Sequence, residues 1–457
     1  MALKVAVIGA GPAGYPAALA AARLGAEVTV FEKDLLGGVC LNSGCIPSKS
    51  LLDAAHRFDA VRDIARFCED GAETQAQALL GQLSWPKIQA RQLAVTRKLT
   101  GGIGVLFKQA KINVVPAAAA FKDAHTLTAR TAEGTKEFSF DYIIIAAGST
   151  AFVPPPFDKI RDKIYDNSNI FQISRLPKRL AIIGGGVIGC EFASLMSSLN
   201  VEVSVVEMQP RLLPAMEESL SRLLAQKLQK KGVHLLTGKQ AADVRLDGDR
   251  KIISLSDGTE LEADDILVAI GRSCDLTDLH PENAGLAWNR KGLQGVNPQT
   301  MQVKDHIYAA GDVTGFSLLA HAATRQGEVA AHNICGQPQT YNNDLIPSAV
   351  YTSPELASVG LTRTQAQQRG LDVKVQKAFM LANGRALTQD AAEGFVEIIS
   401  AKDSGKLLGV CLAAPNASEI ISLFTVALEA GFTVQQLRNV VFPHPTVSEA
   451  VADALAR

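Results

Sequence analysis

Apolar residues along this chain fall mainly into short continuous runs that alternate with stretches of helical periodicity. Continuous runs are typical of strands that are buried on both faces of a parallel sheet. Alternation of such strands with helices predicts an α/β protein. The runs lie at residues 3–8, 142–148, 180–183, 266–271 and 307–312.

Two other patterns separate these runs. Residues 48–106 have a helical periodicity, which Pro86 divides into two parts. A series of short alternating segments then predicts a small antiparallel meander. Its four strands are expected near residues 112–115, 118–121, 126–129 and 137–140.

A unit of strand, glycine-rich turn, helix and second strand occurs twice, with an offset of 175 residues. Each copy carries G-x-G-x-x-G and ends in a glutamate 18 residues beyond the third glycine. A single G-x-G-x-x-G is weak evidence, but here both copies have the strand, helix and acid that the motif requires. The positions are Gly9, Gly11, Gly14 and Glu32 in the first copy, and Gly184, Gly186, Gly189 and Glu207 in the second.

This repeat predicts two dinucleotide-binding sites. The first glycine makes a tight turn, the second allows a pyrophosphate to approach the backbone, and the third allows helix and strand to pack closely. The N-terminus of the helix attracts the phosphates, and the terminal glutamate accepts hydrogen bonds from ribose hydroxyls. Because Glu207 would repel a 2′-phosphate, the second site should prefer NAD to NADP. Arg211 is expected to lie beyond the ribose pocket.

Cys40 and Cys45 follow the first glycine-rich turn by about one βαβ unit. Pro47 favours a first helical turn, which places Cys45 at or just before a helix N-terminus, where a thiolate is stabilised. Lys49 lies four residues further on, and its cation adds to this effect. A regular helix would point the two thiols apart, so a bridge between them requires irregular backbone at Gly44.

This placement predicts that electrons pass between a nicotinamide, a flavin and a disulfide. Two ordinary buried thiols are the simplest alternative. A metal clip is another, although no further Cys or His lies nearby at a spacing typical of zinc sites, and no metal is expected. The other five cysteines are expected to be small buried residues: Cys68, Cys190, Cys274, Cys335 and Cys411.

Composition and charge exclude several other classes of protein. The chain has 457 residues, 47% hydrophobic and 20% charged, which is typical of a packed enzyme with several domains. A net charge of −1 gives no field to attract nucleic acid or anionic lipid. No apolar run approaches the roughly 20 residues of a membrane helix. The first strand begins at once, without the apolar region of a signal peptide, so a cytoplasmic location is expected.

The segment GGVCLNSGCIPSK at residues 37–49 resembles the redox-disulfide signature of the flavoprotein disulfide reductases, and most closely that of their dihydrolipoamide dehydrogenase branch. The resemblance covers almost the whole chain, and the order of the motifs is specific to the family. The further motifs lie at residues 146–149, 184–191, 269–272, 308–312 and 442–449.

The resemblance implies two Rossmann-like (FAD and NAD) three-layer ββα domains plus a C-terminal α+β dimerisation domain. Residues 1–149 would form the first part of the FAD-binding domain and residues 150–274 the NAD-binding domain. Residues 275–344 would complete the FAD-binding domain, and residues 345–457 would form the interface domain. Three consecutive prolines at 154–156 and the segment from Pro338 to Pro347 accompany two of these boundaries.

The resemblance also implies roles for individual residues. Cys45 would be the charge-transfer thiolate against the flavin, and Cys40 the thiol that exchanges with substrate. Lys49 and Glu191 would form an ion pair near the flavin and the nicotinamide, although Glu191 could instead be an exposed acid in a first helical turn. Asp312 would bind the ribityl chain of FAD or cap a helix. Further cofactor contacts are expected at Gly148, Gly271 and Arg272.

Thiol–disulfide exchange requires a general base and acid, and His444 is the candidate. Glu449 could hold one ring nitrogen and so set the tautomer. In the family this histidine reaches the disulfide of the other subunit, which implies an obligatory homodimer. The chain departs from the usual pattern at Phe442 and Pro443, which replace His-Ala. His321 also falls in a family motif and is expected to be structural.

The resemblance implies FAD-dependent oxidation of protein-bound dihydrolipoyl groups by NAD+ through a Cys40–Cys45 disulfide. Such a reaction would contribute to cell redox homeostasis. The partners would be lipoyl domains of 2-oxoacid dehydrogenase complexes or the carrier protein of glycine cleavage. One alternative is an NAD(P)H-dependent reductase of another disulfide such as glutathione, and another is a non-catalytic flavoprotein subunit. A mercuric reductase fits less well, because the C-terminus has no cysteine pair.

Overall fold

A computed structural model describes residues 2–457, and its first unit is built on a six-stranded sheet. All neighbouring strands in this sheet are parallel except for one antiparallel pair at the edge. The strand Ile307–Ala309 lies beside Tyr142–Ile145, so the chain returns to its first sheet after a long excursion. In spatial order the strands are Gln302–Lys304, Ile307–Ala309, Tyr142–Ile145, Lys4–Ile8, Glu27–Phe31 and Asn113–Val115.

The first unit has three layers, as predicted. Helices cover one face of the sheet, and a small antiparallel sheet covers the other. The antiparallel sheet has the strands Ala119–Phe121, Thr126–Thr131 and Gly134–Ser139. The helices of this unit are Gly14–Arg23, Gly38–Ser43, Cys45–Ile64, Ala72–Leu80, Trp85–Gln109 and Ala320–Ile334.

One detail of the sequence interpretation was wrong. Residues 113–115 do not belong to the antiparallel meander, because they pair in parallel with Glu27–Phe31 in the main sheet. The helix Trp85–Gln109 precedes this strand and serves as its crossover connection. The helical region is divided at Pro86, as predicted, because this proline lies in the first turn of a new helix, where its missing N–H costs little.

The second unit repeats the same three layers. Its sheet is entirely parallel, and a three-stranded antiparallel sheet lies on the face opposite the helices. The helices are Val187–Ser198 and Glu218–Lys230. The parallel strands are, in spatial order, His234–Thr237, Glu202–Glu207, Arg179–Ile183, Asp265–Val268 and Tyr165–Asp166, and the antiparallel ones are Ala241–Asp247, Arg250–Leu255 and Glu260–Ala263.

Short paired strands join the two units. Thr150–Ala151 pairs antiparallel with Arg272–Ser273, so the chain leaves the first unit and returns to it at adjacent points. A hairpin of Trp288–Asn289 and Gly292–Leu293 follows.

The C-terminal unit is an antiparallel five-stranded sheet with helices, which agrees with the α+β prediction. Its strands are, in spatial order, Ser348–Val350, Glu355–Gly360, Leu407–Ala414, Phe395–Ala401 and Val373–Phe379. Its helices are Arg363–Gln368, Gly384–Leu387, Ala417–Glu429, Val434–Arg438 and Glu449–Leu455.

One hydrophobic cluster joins all three units. It contains Leu51 from the helix of the thiol pair, Phe192 from the second unit, and Val350 and Phe395 from the C-terminal sheet. Burial of these side chains fixes the helices that carry the candidate site relative to one another. Within residues 2–457, no helix combines the length and apolar character needed to cross a bilayer.

Candidate functional site

The thiol pair lies where two helices meet. Cys40 is in the helix Gly38–Ser43, and Cys45 is the first residue of the helix Cys45–Ile64. Gly44 separates the helices with φ −151° and ψ −114°, and a Cβ added there would lie 3.3 Å from the Cα of Cys40. A glycine therefore allows the close approach that brings the second cysteine back towards the first.

The two thiols differ in acidity. Cys40 donates a hydrogen bond to Cys45, and this bond and the ammonium of Lys49 lower the pKa of Cys45 to about 7 against the opposing effect of burial. The same hydrogen bond, with burial, raises the pKa of Cys40 well above its ordinary value. One thiolate is therefore available near neutral pH, and it is located on Cys45 at the N-terminus of a helix.

Lys49 and Glu191 form an ion pair across the first two units. The Lys49 Nζ atom lies 3.0 Å from Oε1 and 2.8 Å from Oε2 of Glu191. The Glu191 side chain is only 4% exposed, so it is not the exposed helix acid of the alternative interpretation. Tyr351 of the C-terminal unit donates its backbone N–H to Glu191 Oε1 at 3.1 Å. All three units therefore contribute to this cluster.

The first and third glycines of each repeat have no space for a side chain. Gly9 and Gly184 have φ of +97° and +110°, values that favour glycine. A Cβ on Gly14 would lie 1.8 Å from the carbonyl oxygen of Gly9, and a Cβ on Gly189 would lie 1.9 Å from that of Gly184. These contacts agree with the turn and packing roles derived from the sequence.

The second glycines face open space instead. A Cβ on Gly186 would contact nothing within 4 Å, and one on Gly11 would meet only the Cα of Gly38, at 3.8 Å. The main chain is thus accessible where a pyrophosphate would approach, next to a helix N-terminus in each copy. The residues present therefore fit two dinucleotides.

The terminal glutamates also match between the copies. Glu32 Oε2 accepts from the N–H of Ala10 at 2.7 Å, and Glu207 Oε2 accepts from the N–H of Gly185 at 2.6 Å. Each carboxylate therefore fixes the residue after the first glycine and retains acceptor capacity for ribose hydroxyls. The guanidinium of Arg211 binds carbonyl oxygens of its own loop, those of Leu213, Pro214 and Met216.

A second polar cluster lies beside the returning strand. Arg272 Nε donates to Ser149 Oγ at 2.7 Å and lies 3.5 Å from Asp312 Oδ2. Ser149 Oγ in turn donates to Asp312. Gly148 and Gly271 precede these residues with φ of +72° and +129°, and an added Cβ at either position would meet nothing within 4 Å. The cluster could hold a polar part of a cofactor at the ends of parallel strands.

His444 and Glu449 form a pair in the C-terminal unit. His444 Nδ1 lies 2.9 Å from Glu449 Oε1, and Thr446 donates its N–H to the other carboxylate oxygen at 2.8 Å. The His444 side chain is 81% exposed. Within residues 2–457, no hydrogen bond or ion pair joins this ring to Cys40 or Cys45.

The remaining histidine and cysteine expectations have mixed outcomes. His321 Nε2 contacts the carbonyl oxygen of Pro347 at 2.6 Å, which agrees with a structural role. Cys190, Cys274 and Cys411 are buried, and Cys335 is partly buried. Cys68 is exposed, so the prediction was wrong for this residue, which follows the last turn of a surface helix. Among residues 2–457, no group of three or more His, Cys, Asp or Glu side chains is arranged to hold a metal ion.

Three residues near the site were not identified from the sequence. Tyr351 contacts the Lys49–Glu191 pair, and Ser149 links Arg272 to Asp312. Gln326, which is fully buried, accepts the N–H of Gly311 at 2.8 Å. Ser149 lies inside a motif that was noted, whereas Tyr351 and Gln326 follow no local pattern that indicates their contacts.

Comparison with known proteins agrees with this geometry. Residues 3–327 match the family model for pyridine nucleotide-disulphide oxidoreductase, and residues 346–455 match the dimerisation domain of the same family. The chain is 37% identical to a dihydrolipoyl dehydrogenase of Bacillus subtilis over 99% of this chain and 98% of the relative. It is 35% identical to a dihydrolipoyl dehydrogenase of Haloferax volcanii over 98% of this chain and 94% of the relative.

Two solved structures are also similar to this chain over nearly its full length. LpdA from Mycobacterium tuberculosis is 26% identical with a TM-score of 0.91 and covers 99% of both chains. The HOCl-induced flavoprotein disulfide reductase RclA from Escherichia coli is 26% identical with a TM-score of 0.85, also over 99% of both chains.

The protein belongs to the pyridine nucleotide-disulphide oxidoreductase family, as the motifs implied. It is thus an FAD-dependent disulfide oxidoreductase, and its cofactors are FAD and NAD.

Proposed function

We propose that this protein is a dihydrolipoyl dehydrogenase, which oxidises protein-bound dihydrolipoyl groups with NAD+ as the final acceptor. The observation that carries the proposal is the acidic Cys45 thiol paired with Cys40 at the N-terminus of a helix. Relatives that bear this activity in their names match the chain over nearly its full length. The partners are lipoyl domains of a 2-oxoacid dehydrogenase complex or of the glycine cleavage carrier.

The two glycine-rich turns divide the cofactors between them. The first turn and Glu32, with Asp312 and Arg272, hold FAD, and the second turn and Glu207 hold NAD. When bound, the flavin supplies the chemistry that connects two-electron oxidation of thiols to reduction of a nicotinamide. The ion pair of Lys49 and Glu191 joins the helix that begins with Cys45 to the helix after the second turn, which places a positive charge beside Cys45.

Exchange with the substrate is carried out by the residues of this chain. A substrate thiolate attacks the Cys40 sulfur of the oxidised pair, a mixed disulfide forms, and Cys45 leaves as a thiolate. The second substrate thiolate attacks the substrate sulfur of the mixed disulfide, which closes the dithiolane ring and releases Cys40 as a thiolate that takes up a proton. His444 accepts the proton of the first substrate thiol and releases it to solvent, then accepts the proton of the second thiol and passes it to Cys40. Lys49 stabilises the Cys45 thiolate.

A homodimer completes this site. His444 is exposed and has no bond to the cysteines of its own chain, and residues 346–455 match the family's dimerisation domain. We therefore place His444 of one subunit against the thiol pair of the other. Residues 1–149 and 275–344 form the proposed FAD-binding domain, 150–274 the NAD-binding domain and 345–457 the interface domain. The cytoplasmic location stays a prediction.

The test is formation of NADH from dihydrolipoamide by the purified, FAD-loaded protein. We expect turnover with NAD+, little with NADP+, and none in Cys40→Ser or Cys45→Ser. Reduction of glutathione disulfide by NADPH is assayed in parallel, because turnover in that direction would identify the alternative reductase. A yellow protein that turns over neither substrate would contradict the proposal and favour a non-catalytic subunit.

A further inference from the structure

The aromatic ring of Tyr351 lies against the ammonium of Lys49. The Lys49 Nζ atom is 4.6 Å from the centroid of the ring, a distance at which the face of an aromatic ring attracts a cation. The backbone N–H of the same tyrosine donates to Glu191 Oε1 at 3.1 Å. Tyr351 therefore contacts both members of the ion pair, one through its ring and the other through its main chain.

The position of Tyr351 is fixed from the side of the C-terminal unit. It follows the strand Ser348–Val350, and its ring packs on the hydrophobic cluster shared by all three units. Lys49, by contrast, is 31% exposed and has a long flexible side chain. The ring of Tyr351 therefore restricts this ammonium together with the carboxylate of Glu191.

We propose that Tyr351 is a positioning residue of the reaction centre, whose ring holds the Lys49 ammonium against Glu191 and so maintains the positive charge that faces Cys45. The inference rests on the roles proposed above for Cys45 and Lys49. It assigns to the C-terminal unit a contribution to the chemistry of its own chain, in addition to the histidine that it supplies to the other subunit.

The charges around this point determine the direction of the effect. The groups that act on Cys45 are Cys40 from the preceding helix, Lys49 from its own helix and Glu191 from the second unit. Lys49 lowers the pKa of Cys45, whereas Glu191 raises it. Glu355 also lies near the Tyr351 ring, on the following strand. If Lys49 is released from the ring, its ammonium can move away from Cys45, whereas the carboxylate of Glu191 stays in place. The pKa of Cys45 should then rise.

The experiment measures the acidity of Cys45 directly. In a Cys40→Ser background the tryptic peptide 34–49 contains Cys45 as its single cysteine. The rate of its alkylation by iodoacetamide in the reduced holoenzyme is followed by mass spectrometry across pH. In Tyr351→Leu we expect the midpoint of the alkylation rate to rise by about half a pH unit. Below the midpoint, this shift corresponds to an approximately threefold lower fraction of thiolate.

Tyr351→Phe is the matched control, because it retains the ring and removes only the hydroxyl. We expect its midpoint to equal that of the parent. An unchanged midpoint in folded Tyr351→Leu, or an equal shift in Tyr351→Phe, would overturn the proposal. If Tyr351→Leu does not fold, as judged by thermal unfolding, Tyr351→Met replaces it with a side chain that fills the space without an aromatic face. The readout does not depend on dihydrolipoamide turnover, so failure of the proposed function gives a separate result.

Discussion

The ammonium of Lys49 lies 2.8 Å from the Oε2 atom of Glu191, although the two residues are 142 positions apart in the chain. Lys49 belongs to the helix that begins with Cys45, and Glu191 to the helix after the second glycine-rich turn. The contact therefore joins the helix of the thiol pair to the second unit. Because Glu191 is almost fully buried, the ammonium of Lys49 is its main partner in place of water.

Replacement of Lys49 by Met is expected to destabilise the fold by about 2 kcal/mol, because it leaves a buried carboxylate with only the Tyr351 N–H as a partner. Urea unfolding of the variant and the parent measures the difference. The matched control is Arg222→Met, which breaks the exposed pair with Glu218, where the side chains are 69% and 65% exposed. We expect less than about 0.5 kcal/mol there. Equal losses in both variants would contradict the prediction.

The acidity of the thiols predicts a pH profile. The pKa of Cys45 is lowered to about 7, so its alkylation should be slow below pH 6 and reach half of its maximum rate near pH 7. In Cys45→Ser, Cys40 remains as a single, partly buried thiol, so its alkylation should require higher pH. The long-wavelength charge-transfer absorption of a thiolate next to the flavin should persist in Cys40→Ser and disappear in Cys45→Ser. The reverse pattern would exchange the proposed roles of the two cysteines.

The second glycine-rich turn allows stability and cofactor binding to be separated. Gly189→Ala places a Cβ 1.9 Å from the Gly184 carbonyl oxygen, so we expect a loss of stability of about 3 kcal/mol or misfolding of this unit. Gly186→Ala meets nothing within 4 Å and should unfold like the parent, yet bind NADH more weakly because the methyl group projects where the pyrophosphate approaches. Urea unfolding and NADH titration measure the two effects. Similar behaviour of both variants would be inconsistent with the assigned glycine roles.

Features that repeat locally could be predicted from the sequence. The turns at Gly9 and Gly184, and the acids Glu32 and Glu207, follow from spacing alone, and the structure matches them down to equivalent hydrogen bonds. The position of Cys45 at a helix N-terminus follows from Pro47, because proline favours the first turn. These features could be predicted because each depends on contacts within one unit of strand, turn, helix and strand, or within one helical turn.

Features that depend on distant partners could not be predicted in the same way. Residues 113–115 have the length and alternation of a meander strand, and only the crossover through a long helix directs them into the main sheet. Cys68 was assigned to the interior from residue type, but the end of its helix is at the surface. Tyr351 reaches Lys49 through the packing of the C-terminal sheet on two other units, and no spacing encodes that arrangement.

Selection of NAD over NADP is predicted to depend on Glu207 and not on Arg211. Glu207 is 8% exposed and accepts hydrogen bonds from Gly185 and Gln209, so Glu207→Gln should lower kcat/KM for NAD+ by about tenfold and reduce its preference over NADP+. Steady-state kinetics with both nucleotides measure this change. Glu202→Gln, at the exposed start of the same strand, is the control.

The guanidinium of Arg211 binds the carbonyl oxygens of its own loop, and Arg211→Ala should therefore leave the nucleotide preference unchanged. Loss of residual NADP+ turnover in Arg211→Ala would place this side chain in the ribose pocket and contradict the prediction.

The contact of Glu449 with His444 should be important for exchange with the substrate. The Thr446 N–H and the His444 ring lower the pKa of Glu449 below its usual value. The carboxylate therefore stays ionised at mildly acidic pH, and its stabilising contact is lost only as pH falls below the usual carboxyl range. Glu449→Gln should slow dihydrolipoamide oxidation by about 100-fold, because the ring loses its orienting charge.

Electron transfer from NADH to a dye does not require thiol exchange, so Glu449→Gln should retain it, and this second assay separates a defect in exchange from a general loss of activity. Asp453→Asn changes an exposed acid on the same helix and should leave both rates unchanged. If Glu449→Gln oxidises dihydrolipoamide at the parental rate, the ring does not depend on this carboxylate. If both assays fail together while the protein remains folded, the pair acts on the flavin half-reaction and not on the exchange step.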